Sequence, residues 1–332
     1  MKSNPPVKVS CVIPCFNSQT TIVDCLEALL SQTSSNFEIL VVDDGSEDDS
    51  LGKIREFGRK NKLKLRVFTR PHGGPAASRN YGCRQAEGDV VVFLDSDCVA
   101  RKNWLAEMIS PFKDVDVVGV QGAYETLNKE NIVARYVGYE IAFRQEGMAR
   151  HYSVDFIGSF SAAYRRKILL DSGGFDEAYT EANAEDTELS FRLRSMEFKL
   201  AINPNAIVAH RHPKTLISYL RQQFTRGFWR VPLYLRHKRK VLGDSYTGSG
   251  LTVQAVLAAL FIVSILTLKP PLMLGSGLLL ALSNLPLGLF CLKYEKKFLA
   301  LAPLLASLRS IAGTLGAMWG VLKFTVINPI LR

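Results

Sequence analysis

The chain is almost without acid in its last third. Residues 211–332 hold 2 Asp and Glu against 16 Lys and Arg, whereas residues 1–210 hold 29 against 25. The formal charge of +10 over 332 residues is therefore a property of the tail. A nucleic-acid binder carries its positive charge on the folded domain. Here the charge lies beside apolar runs, which argues against nucleic acid and for a membrane surface. Cysteine is also sparse: six residues, with no C-x-x-C pair and no zinc-like spacing, exclude a visible disulfide framework and read as reduced thiols. The opening residues 1–6 have no apolar core of the kind a cleaved signal peptide needs, so none is expected. With 47% hydrophobic and 22% charged residues, disorder is excluded as well.

Three apolar stretches close the chain, at 251–268, 271–292 and 298–322. Each reaches the length of roughly 20 residues that crosses a bilayer. Only the third carries a charge within it, Arg309, which is costly in lipid and calls for a partner or a polar cavity. Burial in a large globular core is the other reading, but such charge-poor helices would have no face for water. The short flanking loops 236–240 and 293–297 are basic, which places them, and with them the N-terminal domain, on the cytoplasmic side. The chain end at Arg332 is then expected on the far side. Upstream, residues 215–234 interleave Leu, Phe and Trp with Arg221, Arg226 and Arg230, as an amphipathic helix on an anionic membrane does. Packing of that helix on the soluble domain is compatible with this reading. The expected organisation is a soluble domain at 1–212, an interfacial region at 213–245 and membrane helices within 251–322.

In the first hundred residues, β-rich runs at 7–13, 37–42, 63–68 and 90–94 alternate with helical patterns at 20–31, 48–60 and 75–86. This predicts an α/β fold with a largely parallel sheet, whose ligands bind beyond the C-terminal strand ends. Those ends carry Pro14-Cys15-Phe16-Asn17, Asp43-Asp44-Gly45-Ser46 and Asp95-Ser96-Asp97. A carboxylate pair here can divide its work between a sugar or ribose hydroxyl and a hard cation on phosphate oxygens. Taken alone, D-x-D is equally the composition of a solvated turn.

Context decides between these readings. The runs 9–17, 38–46, 77–82 (Ala77-Ser78-Arg79-Asn80-Tyr81-Gly82) and 91–97 occur in order, followed by Gly173-Gly174-Phe175-Asp176-Glu177 and Ala184-Glu185-Asp186-Thr187-Glu188. Together they resemble the family 2 glycosyltransferases, which have the GT-A fold, over about residues 7–230. The resemblance implies that Asp44 contacts the nucleotide base, framed by Pro14, Phe16 and Asn17, with Arg79 and Asn80 near the nucleotide. It implies that Asp95 holds ribose or donor sugar, that Asp97 ligates Mg or Mn with His210, and that Asp186 is the catalytic base. Glu185 of the same E-D motif falls among the substrate-binding positions. The residues leave bland readings open: core packing for Phe16, a surface ion pair for Arg79, and a dipole complement in the first turn of a helix for Glu185 and Glu188. Residues 173–183 read as a lid or acceptor loop, and His212 reads as facing water.

Processive members of the family carry Q-x-x-R-W. Here Gln223 and Arg226 match, and Gly227 stands in place of Trp. The expectation is an inverting, metal-dependent transferase that moves one sugar from a nucleotide-sugar, UDP by resemblance with GDP open, to a lipid-linked acceptor at the cytoplasmic membrane face. A processive polysaccharide synthase and a non-catalytic scaffold on the same fold are the rivals.

Overall fold

The computed structural model describes residues 7–61, 65–179 and 184–327. Residues 1–6, Leu63 and Lys64 of the expected third strand, positions 180–183 of the expected loop and Arg332 lie outside them. In chain order the elements are β1 (Val9–Cys15), α1 (Ile22–Leu30), β2 (Phe37–Asp43), α2 (Ser50–Asn61), β3 (Leu65–Thr69), α3 (Pro75–Gln85), β4 (Val90–Leu94) and β5 (Cys98–Ala100). There follow α4 (Trp104–Ile109), β6 (Val117–Thr126), α5 (Ile132–Met148), β7 (Ser161–Arg165), α6 (Arg166–Asp171), α7 (Glu185–Ser195) and β8 (Lys199–His210). Last come α8 (Leu216–Arg236), α9 (Gly248–Leu266), α10 (Pro270–Ser283), α11 (Leu285–Cys291) and α12 (Phe298–Val321).

The chain forms two compact units, Met1–Leu127 with Ala149–Arg211, and Asn128–Met148 with His212–Arg332. The boundary differs from a single cut near residue 212, because α5 belongs with the tail. In the first unit an eight-stranded sheet runs in the order β3-β2-β1-β4-β7-β6-β8-β5. The strands β1 to β4 pair in parallel, and β7 enters antiparallel beside β4. All five residues of β4 are buried, as expected for an inner strand covered on both faces. Parallel pairing brings the C-terminal ends of β1, β2 and β4 to one edge. At the far side, β5 runs antiparallel to β8 with Cys98 opposite His210, which sets Asp97 beside His210.

The second unit is helical. α9 is long and apolar enough to cross a membrane, as is the stretch Phe298–Ile327 that contains α12; α10 and α11 pass together as a pair bent by 40°. α8 lies against α12 with almost no side chain between them. A Cβ at Gly227 would run into the Gly313 carbonyl, and one at Gly316 into the Phe224 carbonyl. That contact gives the physical reason why position 227 is not Trp. Gly227→Ala should lower the Tm of the detergent-purified protein by overpacking, at a cost of about 1–3 kcal/mol, and Gly227→Trp should prevent folding. A Gly227→Trp protein with parental Tm would refute the contact.

Candidate active site

The strand-end loops are knitted together by side chains that local pattern alone does not reveal. Asn17, held at φ 47°, accepts from the Glu47 amide at 2.9 Å, and its own amide donates to Ser46 Oγ at 3.0 Å. Ser18 and Ser96 share a hydroxyl hydrogen bond of 2.8 Å, linking the loop after β1 to the loop after β4. Phe16 is 42% exposed and stacks on His72, with ring centroids 4.1 Å apart, so it is not a core residue. Pro14, in β1, is only partly buried.

Asp44 is 3% exposed and both of its oxygens are used. It accepts from Arg70, from the Gly74 amide at 2.8 Å and from Ser78 Oγ at 2.8 Å, and its Oδ2 lies 2.9 Å from His72 Nδ1. The carboxylate thereby fixes the turn into α3 and holds the His72 ring beneath Phe16.

Arg79 is buried rather than in a surface pair. Its guanidinium donates to Glu185 at 2.9 Å and to Asp95 at 2.8 Å, and lies 5.7 Å from the Phe175 ring centroid. It therefore ties the D-x-D end of β4 to the head of α7. Burial opposes its charge, but Asp95 and Glu185 outweigh that and keep it protonated. Asn80 spends its amide on the glycine loop: it donates to the Phe175 carbonyl and to Glu177, each at 2.8 Å, and accepts from the Phe175 amide at 2.8 Å. Gly174, at φ 71°, packs so closely on Asn80 that no Cβ would fit.

Asp186 is half-buried in the first turn of α7. Its Oδ1 accepts from the Thr187 amide at 2.7 Å, and its Oδ2 receives a long contact of 3.4 Å from the Ser159 amide. Burial pushes its carboxyl above the ordinary aspartate range, with Arg79 pulling the other way. Burial and the Asp186 charge push Glu185 up as well. A carboxylate so placed is a stronger base than one in water.

Asp97 Oδ2 lies 3.1 Å from His210 Nε2, and the His210 ring stands 5.1 Å from that of Tyr124, which stacks on Phe160. Tyr124 and His72 had no signal beyond ordinary composition. Among the described residues no group of three or more His, Cys, Asp and Glu is placed to hold a metal ion. One carboxylate oxygen facing one imidazole nitrogen nevertheless fits a divalent cation that takes its other ligands from phosphate oxygens and water. His212 is buried at 5% exposure, its backbone paired with the Asn128 side chain, and does not face water. Gln223 and Arg226 lie on α8 in the second unit, Arg226 exposed.

Comparison with known proteins bears on the family and the fold. Residues 10–173 match the family model for glycosyl transferase family 2. A pre-mycofactocin glycosyltransferase of Mycobacterium tuberculosis is 31% identical over 254 residues, 73% of this chain and 51% of that protein. The Escherichia coli UDP-Glc:alpha-D-GlcNAc-diphosphoundecaprenol beta-1,3-glucosyltransferase WfgD is 33% identical over 130 residues, 39% of this chain and 50% of its own. The chain thus spans about half the length of these curated relatives. The mannosyltransferase PcManGT from Pyrobaculum calidifontis, solved with GDP-Man and Mn2+, superposes with a TM-score of 0.62 at 18% identity, over 94% of this chain and 87% of that one. At that identity the likeness shows the fold, a mostly parallel mixed sheet with helices on it. The chain has the GT-A fold and belongs to glycosyl transferase family 2.

Proposed function

We propose that the protein is an inverting, metal-dependent glycosyltransferase that moves a single sugar from a nucleotide-sugar to a lipid-linked acceptor at the cytoplasmic face of a membrane. The observation that carries this reading is the Arg79 bridge, which fastens the Asp95–Asp97 strand end to the helix head bearing Asp186. The nucleotide would enter over the strand ends, its base against the exposed Phe16–His72 stack that Asp44 supports, with Pro14 and Asn17 shaping the rim. Asp95, partly exposed and steadied by Arg79, would meet ribose or donor-sugar hydroxyls. Asp186 would take the proton of the acceptor hydroxyl as that oxygen attacks the anomeric carbon, and the raised pKa from its burial suits that task. Asp97 and His210 would hold Mg or Mn. When bound, such a cation offsets the negative charge that grows on the departing nucleoside diphosphate. Arg79 and Asn80 act one step back, as the struts that keep Glu185, Asp95 and the glycine loop in position.

The lipid-linked acceptor is supported by the apolar helices of the second unit and by WfgD, whose name specifies a diphosphoundecaprenol acceptor. UDP is favoured because the same relative is named for UDP-Glc, while PcManGT was solved with GDP-Man. The missing space for Trp at position 227 favours single transfer over a processive synthase.

Membranes containing the protein should be incubated with a panel of radiolabelled UDP- and GDP-sugars, with Mn or with EDTA, and then extracted for lipid. One label is expected to enter the lipid fraction with Mn and none in EDTA. Asp97→Ala should lose cation-dependent donor binding, read by equilibrium dialysis. Label in lipid at full rate in chelator, together with parental donor affinity in the variant, would remove the metal from the mechanism.

A further inference from the structure

The packing inside the second unit sets the depth of its last helix. α8 and α12 run side by side in the same direction: the Gln223 and Phe224 carbonyls face Gly313 and Gly316, the Phe228 carbonyl faces Gly320, and the Phe228 ring lies 4.8 Å from Phe324. At about 1.5 Å per residue, contact from Gly313 to Phe324 runs on the order of 16 Å, too long for a crossing of steeply inclined helices. Along this same stretch α8 carries Arg221, Arg226 and Arg230, the first two exposed, and it ends in the Arg236–Lys240 basic run. Exposed arginines so spaced are costly to place in hydrocarbon, and a partner packed parallel to the helix shares its depth.

The first half of α12 has a charged neighbour too. Arg309 is buried, and it pairs with Glu140 of α5, which also accepts from Arg144 and from the Tyr219 hydroxyl at 2.6 Å. Arg135 of α5 lies 3.1 Å from Glu295, and Phe298, Ala302, Leu305 and Ala306 of α12 pack with Tyr136 and Val137 of α5. Charge-bearing helices therefore flank α12 from end to end. A further side packs on α11 and on the start of α9, where Arg309 also donates to Gln254 and Thr314 to the Ala255 carbonyl. The side left open is apolar: Leu304, Leu315, Met318, Trp319, then Leu322 and Val326 just beyond.

We infer that α12 does not cross the membrane but lies in the plane of an anionic leaflet, its Leu304–Val326 face in the acyl chains and the arginines of α8 at the headgroups. Crossing is left to α9 and to the bent α10–α11 pair, an even number, so Ile327 is on the same side as the loop at Lys296. Under this inference the third expected span, 298–322, lies in the membrane plane instead.

The test uses the full chain in sealed proteoliposomes with anionic lipid. The six native cysteines are all buried, so single exposed cysteines can be read against a low background. Spin labels at Leu304→Cys, Leu315→Cys and Val326→Cys sit on one helix face over about 33 Å of helix. All three are expected at one shallow depth by oxygen and nickel-chelate accessibility. Lys296→Cys and Thr325→Cys are expected to react with an impermeant maleimide from the same face. A label at Leu315 deep in the bilayer centre between two shallow ends, reaction of positions 296 and 325 from opposite faces, or three fully water-exposed labels would each overturn the inference.

Discussion

Asp186→Asn is expected to lower kcat by about 10²–10⁴-fold while leaving nucleotide-sugar affinity near that of the parent. Asn keeps the shape of the side chain and still accepts from the Thr187 amide, but it takes no proton. The pH profile adds a second reading. Because burial raises the Asp186 carboxyl above the ordinary aspartate range, the acid limb of kcat in the parent should lie above that range, with rate rising as the group loses its proton. The residual rate of the variant should lack that limb. Stopped assays across pH 4–8 (on the order of one point per half unit) check both. A variant retaining a third of the parental rate would show that Asp186 is not the base.

The second large effect is on stability. Arg79→Met should destabilise the first unit by about 3–5 kcal/mol, since removing one partner leaves Glu185 buried without a counter-charge. The sign of the pH dependence follows from that. The Glu185 carboxyl is already raised in the parent by burial and the Asp186 charge, and loss of Arg79, which pulls it down, raises it further. The variant's extra loss is therefore small at low pH and grows as pH rises from the ordinary glutamate range through the raised one. Arg79→Met/Glu185→Gln should recover a large part of the loss, because the uncompensated charge is gone. Chemical unfolding of the four members of the cycle, at pH 5 and pH 7.5 (roughly either side of the shift), measures the coupling. Additive losses with no pH dependence would mean that the bridge is not a charge pair.

The alternation of strands and helices was legible because each element repeats its own period. β4 occupies the expected residues 90–94, and β2 and α3 lie within one residue of expectation. The edge of the sheet where carboxylates gather followed from topology alone. The partners of those carboxylates did not. Asp97 meets His210 only because β5 turns back along β8, a pairing over 113 positions. Asn80 and the glycine loop are 95 apart, and Arg309 finds Glu140 at a separation of 169. No local period encodes such distances. The same holds for depth in a bilayer: residues 298–322 have the composition of a span, and the in-plane placement inferred above rests on the helix lying beside them.

The placement of α5 bears on how the protein is made. Its residues emerge from the ribosome well before the helices that cover them, since Glu140 waits for Arg309. At about 5–20 residues per second that interval is roughly 10–30 s. Once β8 has followed, the sheet before and after α5 can close on itself, while α5 carries a glutamate still lacking Arg309, with Arg144 of its own helix beside it, and an uncovered Tyr136. Release of the first unit as a soluble fragment would freeze the chain at that stage. A secreted or truncated catalytic piece therefore requires residues 128–148 to be bridged by a short polar linker, and not merely a stop codon after Arg211.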